Sequence, residues 1–247
     1  MPRYFFEISY DGTHYHGWQR QENAMSIQQK VEEALSLLTR QPMSITGSGR
    51  TDTGVHCEQQ FFHCDFEKTA DTAQLQHKLN SLLPNDISIN AIFQVANDIH
   101  ARFTAISRSY EYRISLRKNP FLEKYACHFH KPLDVTRMNE AALVLLEEED
   151  FQAFSKVKTE VENFRCSIST ARWIVGDELL TFEITANRFL RGMVRAIVGT
   201  LLDVGTAKRP TEDFITIIKS RDRRKAGSAA PAQGLFLTSV KYPEKVM

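Results

Sequence analysis

The sequence predicts an α+β protein of two halves, each with a mainly antiparallel sheet flanked by helices. Three observations lead to this fold class. The 247 residues are 42% hydrophobic and 25% charged, which is a globular composition long enough for two modest cores. Strands and amphipathic helices alternate along the chain. A polar stretch, HARFTAISRS, begins at His100 and separates two such series, so we expect one half at 1–104 and the other at 105–247.

In the first half, the sequence predicts the order strand, helix, strand, loop, strand, helix, strand. YFFEISY is strand-like and ends on the turn Asp11-Gly12. Ser26 and Gln29 form a capping box that begins a helix. The apolar face of that helix contains Ile27, Val31, Ala34, Leu35 and Leu38. The remaining elements are a short strand near Met43–Ile45, a strand at 59–66, a helix at 71–83 and a strand at 87–95.

The second half continues in the same style. It contains a hairpin around Gly176-Asp177, which joins TARWIV to ELLTFEIT. The other predicted elements are a strand at 109–116, helices at 135–148, 188–204 and 210–219, and a final strand at 234–242.

Charge is unevenly distributed. The formal net charge is only +1, yet residues 1–104 carry 8 cations and 12 anions, whereas the window 188–225 carries 10 cations and 4 anions. A basic patch on a neutral protein indicates a nucleic-acid contact or, alternatively, a solvated face. Arg221, Arg223 and Arg224 are its densest part.

Targeting, membrane and metal signals are negative. Glu7 and Asp11 interrupt any apolar segment at the N-terminus, and no apolar run reaches the roughly 18 residues of a membrane span. The four cysteines form no CxxC pair, and Cys57 and Cys64 are seven residues apart on a predicted strand, hence on opposite faces. We expect a reduced cytoplasmic protein without a metal site.

The densest candidate for chemistry is the loop GSGRTDTGVH, from Gly47 to His56. Its three glycines allow sharp turns and close approach to a ligand, and Asp52 is its carboxylate, with Arg50 two residues earlier. The alternative is a tight connection with a surface ion pair. Asp52-Thr53-Gly54 also matches the aspartic-protease triplet, but the chain has no second copy to share a proton, and Arg50 would keep the carboxylate ionised.

Two further features carry candidate residues. On the predicted helix at 188–204, Arg188, Arg191 and Arg195 fall on the face opposite the apolar stripe and share it with Gly192 and Gly199. Solvent, a carboxylate or phosphates would suit that face, and the glycines indicate close packing against it. On the strand SYEYR, Tyr110 and Tyr112 share one side, as core aromatics or as a platform for an unstacked base.

These residues resemble a known family. GRTDTGVH resembles GRTDAGVH, the signature of TruA-type tRNA pseudouridine synthases, with Thr53 where alanine is common. The opening YDG with GWQRQ, the segment His100-Ala101-Arg102-Phe103, the Tyr110-Glu111-Tyr112 strand and MVRAIVG from Met193 recur in the same order.

The resemblance implies isomerisation of uridine to pseudouridine at positions 38, 39 and 40 in the anticodon stem-loop of tRNA. It implies a pseudouridine synthase fold whose halves meet at a basic cleft, a homodimer, and no metal or organic cofactor. Asp52 would be the catalytic aspartate, Tyr110 would contact the uracil, Arg195 would pair with Asp52, and Arg50 would belong to the base-extrusion apparatus. A non-catalytic RNA-binding module with this fold is the alternative. The candidate tRNA contacts are Arg20, Arg102, Arg221, Arg223 and Arg224.

Overall fold

The computed structural model describes residues 1–156 and 162–246. Its contacts divide the chain into two units, Met1–Ser107 with Phe236–Met247, and Arg108–Leu235. The C-terminal residues thus pack with the N-terminal unit, so a division of the chain at one point cannot describe the two units. The division into 1–104 and 105–247 as functional halves stays a prediction.

The first unit is built on a sheet in the order β4-β1-β3-β9, with β2 paired to β3. Pairing is antiparallel except between β3 and β9, which run parallel from His56 opposite Phe236. Its core is aromatic and includes Phe5, Phe6 and Phe61. The elements are β1 Arg3–Tyr10, α1 Ile27–Thr39, β2 Thr46–Gly47, β3 His56–Asp65, α2 Thr72–Leu82, β4 Ile87–Val95 and β9 Leu235–Lys241.

The second unit has antiparallel strands β5-β8-β7, and β6 runs parallel to β5. Helix α3 packs on α4 and β7, around a core that includes Tyr112 and Phe182. The elements are β5 Ser107–Ser115, β6 Cys127–His128, α3 Val135–Leu143, β7 Ile168–Val175, β8 Leu179–Ala186, α4 Met193–Gly205 and α5 Asp213–Ser220. The predicted α+β class with mainly antiparallel strands is confirmed.

The predicted helix at 188–204 begins too early. Helix α4 starts only at Met193, because Gly192 before it adopts a left-handed backbone with φ of +72°. Arg188 and Arg191 therefore precede the helix and do not share a helical face with Arg195. Upstream Phe189 and Leu190 continue the apolar period, so periodicity alone could not place the boundary.

The predicted short strand near Met43–Ile45 is also displaced, since β2 is Thr46–Gly47. The backbone of buried Ile45 bonds to side chains of α1 instead of a ladder. Its N–H donates to Glu32 Oε1 at 3.2 Å, and its carbonyl accepts from Gln28 Nε2 at 3.2 Å. Two polar helix residues thus satisfy backbone groups that cannot stay unpaired when buried.

The ends of elements account for the other differences; β3, for example, begins at His56 and not at 59. Ser26 caps α1 as predicted, its Oγ accepting from the Gln29 N–H at 3.3 Å, but the Gln29 side chain donates to Glu33 and does not close the box. The predicted helix at 135–148 ends at Leu143 and continues as one 3₁₀ turn, Val144–Leu146.

No helix among residues 1–156 and 162–246 combines the length and apolar character needed to cross a membrane.

Candidate active site

Asp52 lies half-buried in the connection between β2 and β3. A turn follows it, in which the Val55 N–H donates to the Asp52 carbonyl at 3.2 Å and Gly54 takes a φ of +75°. Thr53 is exposed in this turn, and the neighbouring Arg50 is also exposed. The loop therefore presents one carboxylate and one cation from a defined backbone conformation.

A buried network of polar side chains holds this loop in place. The hydroxyl of Tyr10 lies 2.8 Å from Thr51 Oγ1 and donates to Gln60 Oε1 at 3.0 Å. Gln60 Nε2 donates in turn to the Gly49 carbonyl at 3.1 Å. Tyr10, Thr51 and Gln60 are all buried, and a satisfied buried network restricts its members to one arrangement.

The segment between β1 and α1 supports the loop from another side. Gly17 has a φ of +84°, and a Cβ there would lie 2.3 Å from the Thr51 carbonyl oxygen. The Trp18 N–H donates to the same oxygen at 3.2 Å. Only glycine combines this dihedral with so close an approach, so the peptide preceding Asp52 rests directly on the Gly17 backbone.

Arg20 is positioned by helix α1. Its Nη1 pairs with Glu32 Oε2 at 2.9 Å, and its N–H donates to Gln28 Oε1 at 3.0 Å. The Arg20 side chain remains 58% exposed, whereas that of Glu32 is only 7% exposed. Arg20 therefore neutralises a buried carboxylate and still reaches the surface.

Arg102 stands on a turn after β4 beside Phe103. Its guanidinium carbon lies 5.5 Å from the centroid of the Phe103 ring, and Phe103 is 75% exposed. His100 Nδ1 accepts from the N–H groups of both residues, at 3.1 and 3.3 Å, which fixes the turn.

In the second unit, Tyr110 and Tyr112 have different environments. The Tyr110 ring is half-buried on β5 and meets Phe189 edge-on, with centroids 5.1 Å apart. Tyr112 is fully buried and its hydroxyl donates to the Pro231 carbonyl at 2.9 Å; burial raises the pKa of this phenol far above its ordinary range. Tyr112 is therefore a core aromatic, and Tyr110 is the accessible one.

Arg195 is held on α4 by the segment 227–231. Its Nε donates to the Ala230 carbonyl at 2.7 Å, and the Ala230 N–H donates back to the Arg195 carbonyl at 2.9 Å. Gly199 allows this contact, since a Cβ there would lie 1.7 Å from the Ser228 carbonyl oxygen. The close packing predicted from Gly199 is confirmed, with backbone as the packing partner.

The three arginines after α5 differ in their contacts. Arg221 pairs with Asp150 at 2.9 Å, and Arg224 pairs with Asp222 at 2.7 Å. Arg223 Nη1 instead donates to the Gly227 carbonyl at 3.0 Å. Arg221 and Arg224 are exposed, whereas half-buried Arg223 stabilises the segment that holds Arg195.

Sequence reasoning missed the residues that support the Asp52 loop. Tyr10, Gly12 and Gly17 lie far from Asp52 in sequence, whereas Gln60 follows it on β3; their hydrogen bonds and close approaches appear only in the folded chain. The glycines of YDG and GWQRQ were the available signal, since they flank an irregular polar segment. No group of three His, Cys, Asp or Glu side chains within the described ranges could hold a metal ion.

Enzymes hold their catalytic groups in place by packing and supporting hydrogen bonds, and the loop that carries Asp52 is supported in this way. The family model described as tRNA pseudouridine synthase matches residues 8–104 and 141–243. The chain belongs to this family, whose members are isomerases.

Curated relatives agree with this family over nearly the full length. A protein of Porphyromonas gingivalis named tRNA pseudouridine synthase A is 49% identical, with 98% of each chain covered. Proteins of the same name from Bacteroides fragilis and Francisella tularensis subsp. holarctica are 48% and 37% identical, covering 100% and 99% of this chain and 98% and 95% of theirs. The resemblance predicted from GRTDTGVH is confirmed.

Proposed function

We propose that this protein isomerises uridine to pseudouridine at positions 38, 39 and 40 in the anticodon stem-loop of tRNA, with Asp52 as the catalytic carboxylate. The observation that carries the proposal is Asp52 on a loop fixed by buried hydrogen bonds, in a chain of this family. The reaction breaks the bond from uracil N1 to the sugar C1′ and forms one from C5 to C1′. N1 gains a proton and C5 loses one, so atoms and electrons balance without a cofactor.

An ionised carboxylate suits this chemistry. Breaking the glycosidic bond leaves negative charge on uracil and positive character on the sugar, which a fixed anion stabilises. Attack on the sugar carbon, addition to the base and removal of a sugar proton all require a deprotonated Asp52. Arg195 is proposed as the supporting cation, since a positive neighbour favours the ionised form.

The target base must leave its stack before reaction, at a cost of a few kcal/mol. We assign the half-buried ring of Tyr110 to contact the extruded uracil, since stacking on an aromatic ring recovers part of that cost. Exposed Arg50, two residues before Asp52, is assigned to base extrusion.

The remaining tRNA contacts are assigned to arginines. Exposed Arg20, Arg102, Arg221 and Arg224 suit phosphate binding. Arg223 is the weakest candidate, because its guanidinium donates to the Gly227 carbonyl. We also propose a cytoplasmic homodimer, as the family resemblance implies; sedimentation of the protein with and without tRNA tests the dimer.

Release of tritium tests the function directly. tRNA labelled at uracil C5 should lose tritium to water on incubation with the protein, since C5 loses its hydrogen when it bonds to the sugar. Transcripts with a single uridine among positions 38, 39 and 40 report each position separately. A matched transcript with cytidine at all three should release none. A folded protein that releases no tritium from any of the uridine transcripts refutes the proposal.

A further inference from the structure

His56 ends the GRTDTGVH loop, and the proposed function gives it no role. Its side chain is 2% exposed and its ring stacks on Phe236 of β9, with centroids 4.6 Å apart and planes at 22°. The Nδ1 atom accepts a hydrogen bond from the Gly12 N–H at 3.2 Å. This buried ring thus ties the segment after β1 to the first residue of β3.

Gly12 in turn touches the turn that follows Asp52. A Cβ at Gly12 would lie 2.0 Å from the Val55 carbonyl oxygen, so the two backbones are in direct contact. The Val55 N–H closes the turn on the Asp52 carbonyl at 3.2 Å. Displacement of Gly12 would therefore disturb Val55, whose N–H bonds to the Asp52 carbonyl.

A second group competes for the same nitrogen. Asp11 Oδ1 lies 3.1 Å from His56 Nδ1, and the Asp11 side chain is 23% exposed. An unprotonated Nδ1 accepts from Gly12, whereas a protonated Nδ1 can only donate, and the Asp11 carboxylate lies within reach as an acceptor. The two hydrogen bonds exclude each other, and the proton on Nδ1 decides which one forms.

We propose that His56 is a positioning residue for Asp52, which holds the loop in its productive arrangement only as the neutral Nε2–H tautomer. Protonation of Nδ1 moves its hydrogen bond to Asp11 and leaves the buried Gly12 N–H without its acceptor. This inference rests on the proposed function of Asp52. Turnover should therefore fall toward acid pH as Nδ1 gains its proton, which gives the pH profile of turnover an acid limb.

The other charged groups near His56 are carboxylates. Asp86 accepts from the Tyr15 hydroxyl at 2.6 Å and its carbonyl accepts from the Asp11 N–H at 2.9 Å. Glu58 follows two residues along β3 and is exposed, while β9 presents the uncharged ring of Phe236. Replacing His56 and Asp11 in turn therefore tests whether the acid limb belongs to the imidazole.

Two amide variants separate this role from simple packing. Asparagine places its Oδ1 close to the position of histidine Nδ1, whereas glutamine places its Oε1 nearer to that of Nε2. We expect His56→Asn to keep kcat at pH 8 within about threefold and to lose the acid limb. We expect His56→Gln to lower kcat at least tenfold with little change in KM, because its oxygen is too far from Gly12.

Equal kcat for the folded Asn and Gln variants, or an unchanged acid limb in His56→Asn, overturns the inference. Two measurements do not depend on those variants folding. Nitrogen-15 spectra of the unmodified protein at pH 8 should show His56 unprotonated at Nδ1, and a proton on Nδ1 contradicts the proposal. Asp11→Asn should move the acid limb about one unit lower, since the imidazolium loses its anionic partner; an unmoved limb also contradicts it. Absence of tritium release at every pH would instead refute the proposed function.

Discussion

Replacing Gly17 by alanine tests whether the backbone under Asp52 sets the activity. Gly17 has a φ of +84°, and an added Cβ would lie 2.3 Å from the Thr51 carbonyl oxygen and 3.1 Å from the Asp52 carbonyl carbon. The substitution adds one methyl group and no charge. Any effect on turnover must therefore come from displacement of the loop.

The magnitude follows from two contributions. A left-handed backbone costs a residue with a Cβ about 1–2 kcal/mol. Relieving the overlap with Thr51 requires a movement on the order of 1 Å beside Asp52. A total of about 2 kcal/mol lowers Tm by roughly 4–8 °C in a protein of this size. Misplacing a catalytic group by about 1 Å lowers the rate on the order of 100-fold.

Gly49→Ala is the matched control on the same loop. A Cβ at Gly49 meets no atom within 4 Å, and its φ is not positive. We expect Gly49→Ala to keep the Tm of the unmodified protein. Gly17→Ala should have a lower Tm and should release tritium more slowly. A Gly17→Ala protein with Tm and turnover both close to the unmodified values would refute this account of the loop.

Three further predictions concern individual side chains, and a fourth compares two arginines. Asp52→Asn should abolish tritium release while tRNA affinity, measured by filter binding, stays within about tenfold, since phosphate contacts supply most of it. Tyr110→Phe should keep most of the turnover and Tyr110→Ala should lose it; loss in both would assign proton transfer to the hydroxyl. Burial, and to a smaller extent a nearby arginine, lower the pKa of His63 to about 4. The contribution of neutral His63 to folding stability is therefore fully present above pH 6.5 and is lost as the pH falls toward 4. His63→Gln should flatten this decline in Tm. Arg224→Ala should reduce by about 1 the slope of log tRNA affinity against log salt concentration. Arg165 is an exposed, ion-paired arginine outside residues 188–225, and Arg165→Ala should leave this slope unchanged.

Elements with a strong local signal were predictable. ISINAIFQV alternates from Ile87 to Asn90 and is rich in isoleucine, and β4 occupies the predicted residues 87–95. Ser26 ends an irregular segment before an apolar helical face, and α1 begins directly after it. Both signals act through neighbours in sequence, so one sequence is enough to interpret them.

Elements whose boundaries depend on tertiary contacts were not predictable. Gly192 could continue a helix at modest cost, and only its left-handed backbone shows that α4 starts after it. Glu32 and Gln28 resemble surface residues of an amphipathic helix. In the fold they are buried and satisfy the backbone of Ile45, a role that no periodicity encodes.

The candidate site divides in the same way. Its reactive group, Asp52, was identifiable because a carboxylate between glycines is unusual and matches a family motif. Part of what fixes it acts through backbone atoms, such as the carbonyls of Thr51 and Val55, and a backbone carbonyl has no residue-specific signature in the sequence. Gly12 and Gly17 are needed because those carbonyls approach them. The shape of the loop therefore requires glycine at both positions, and substitutions there test the positioning of Asp52 separately from its chemistry.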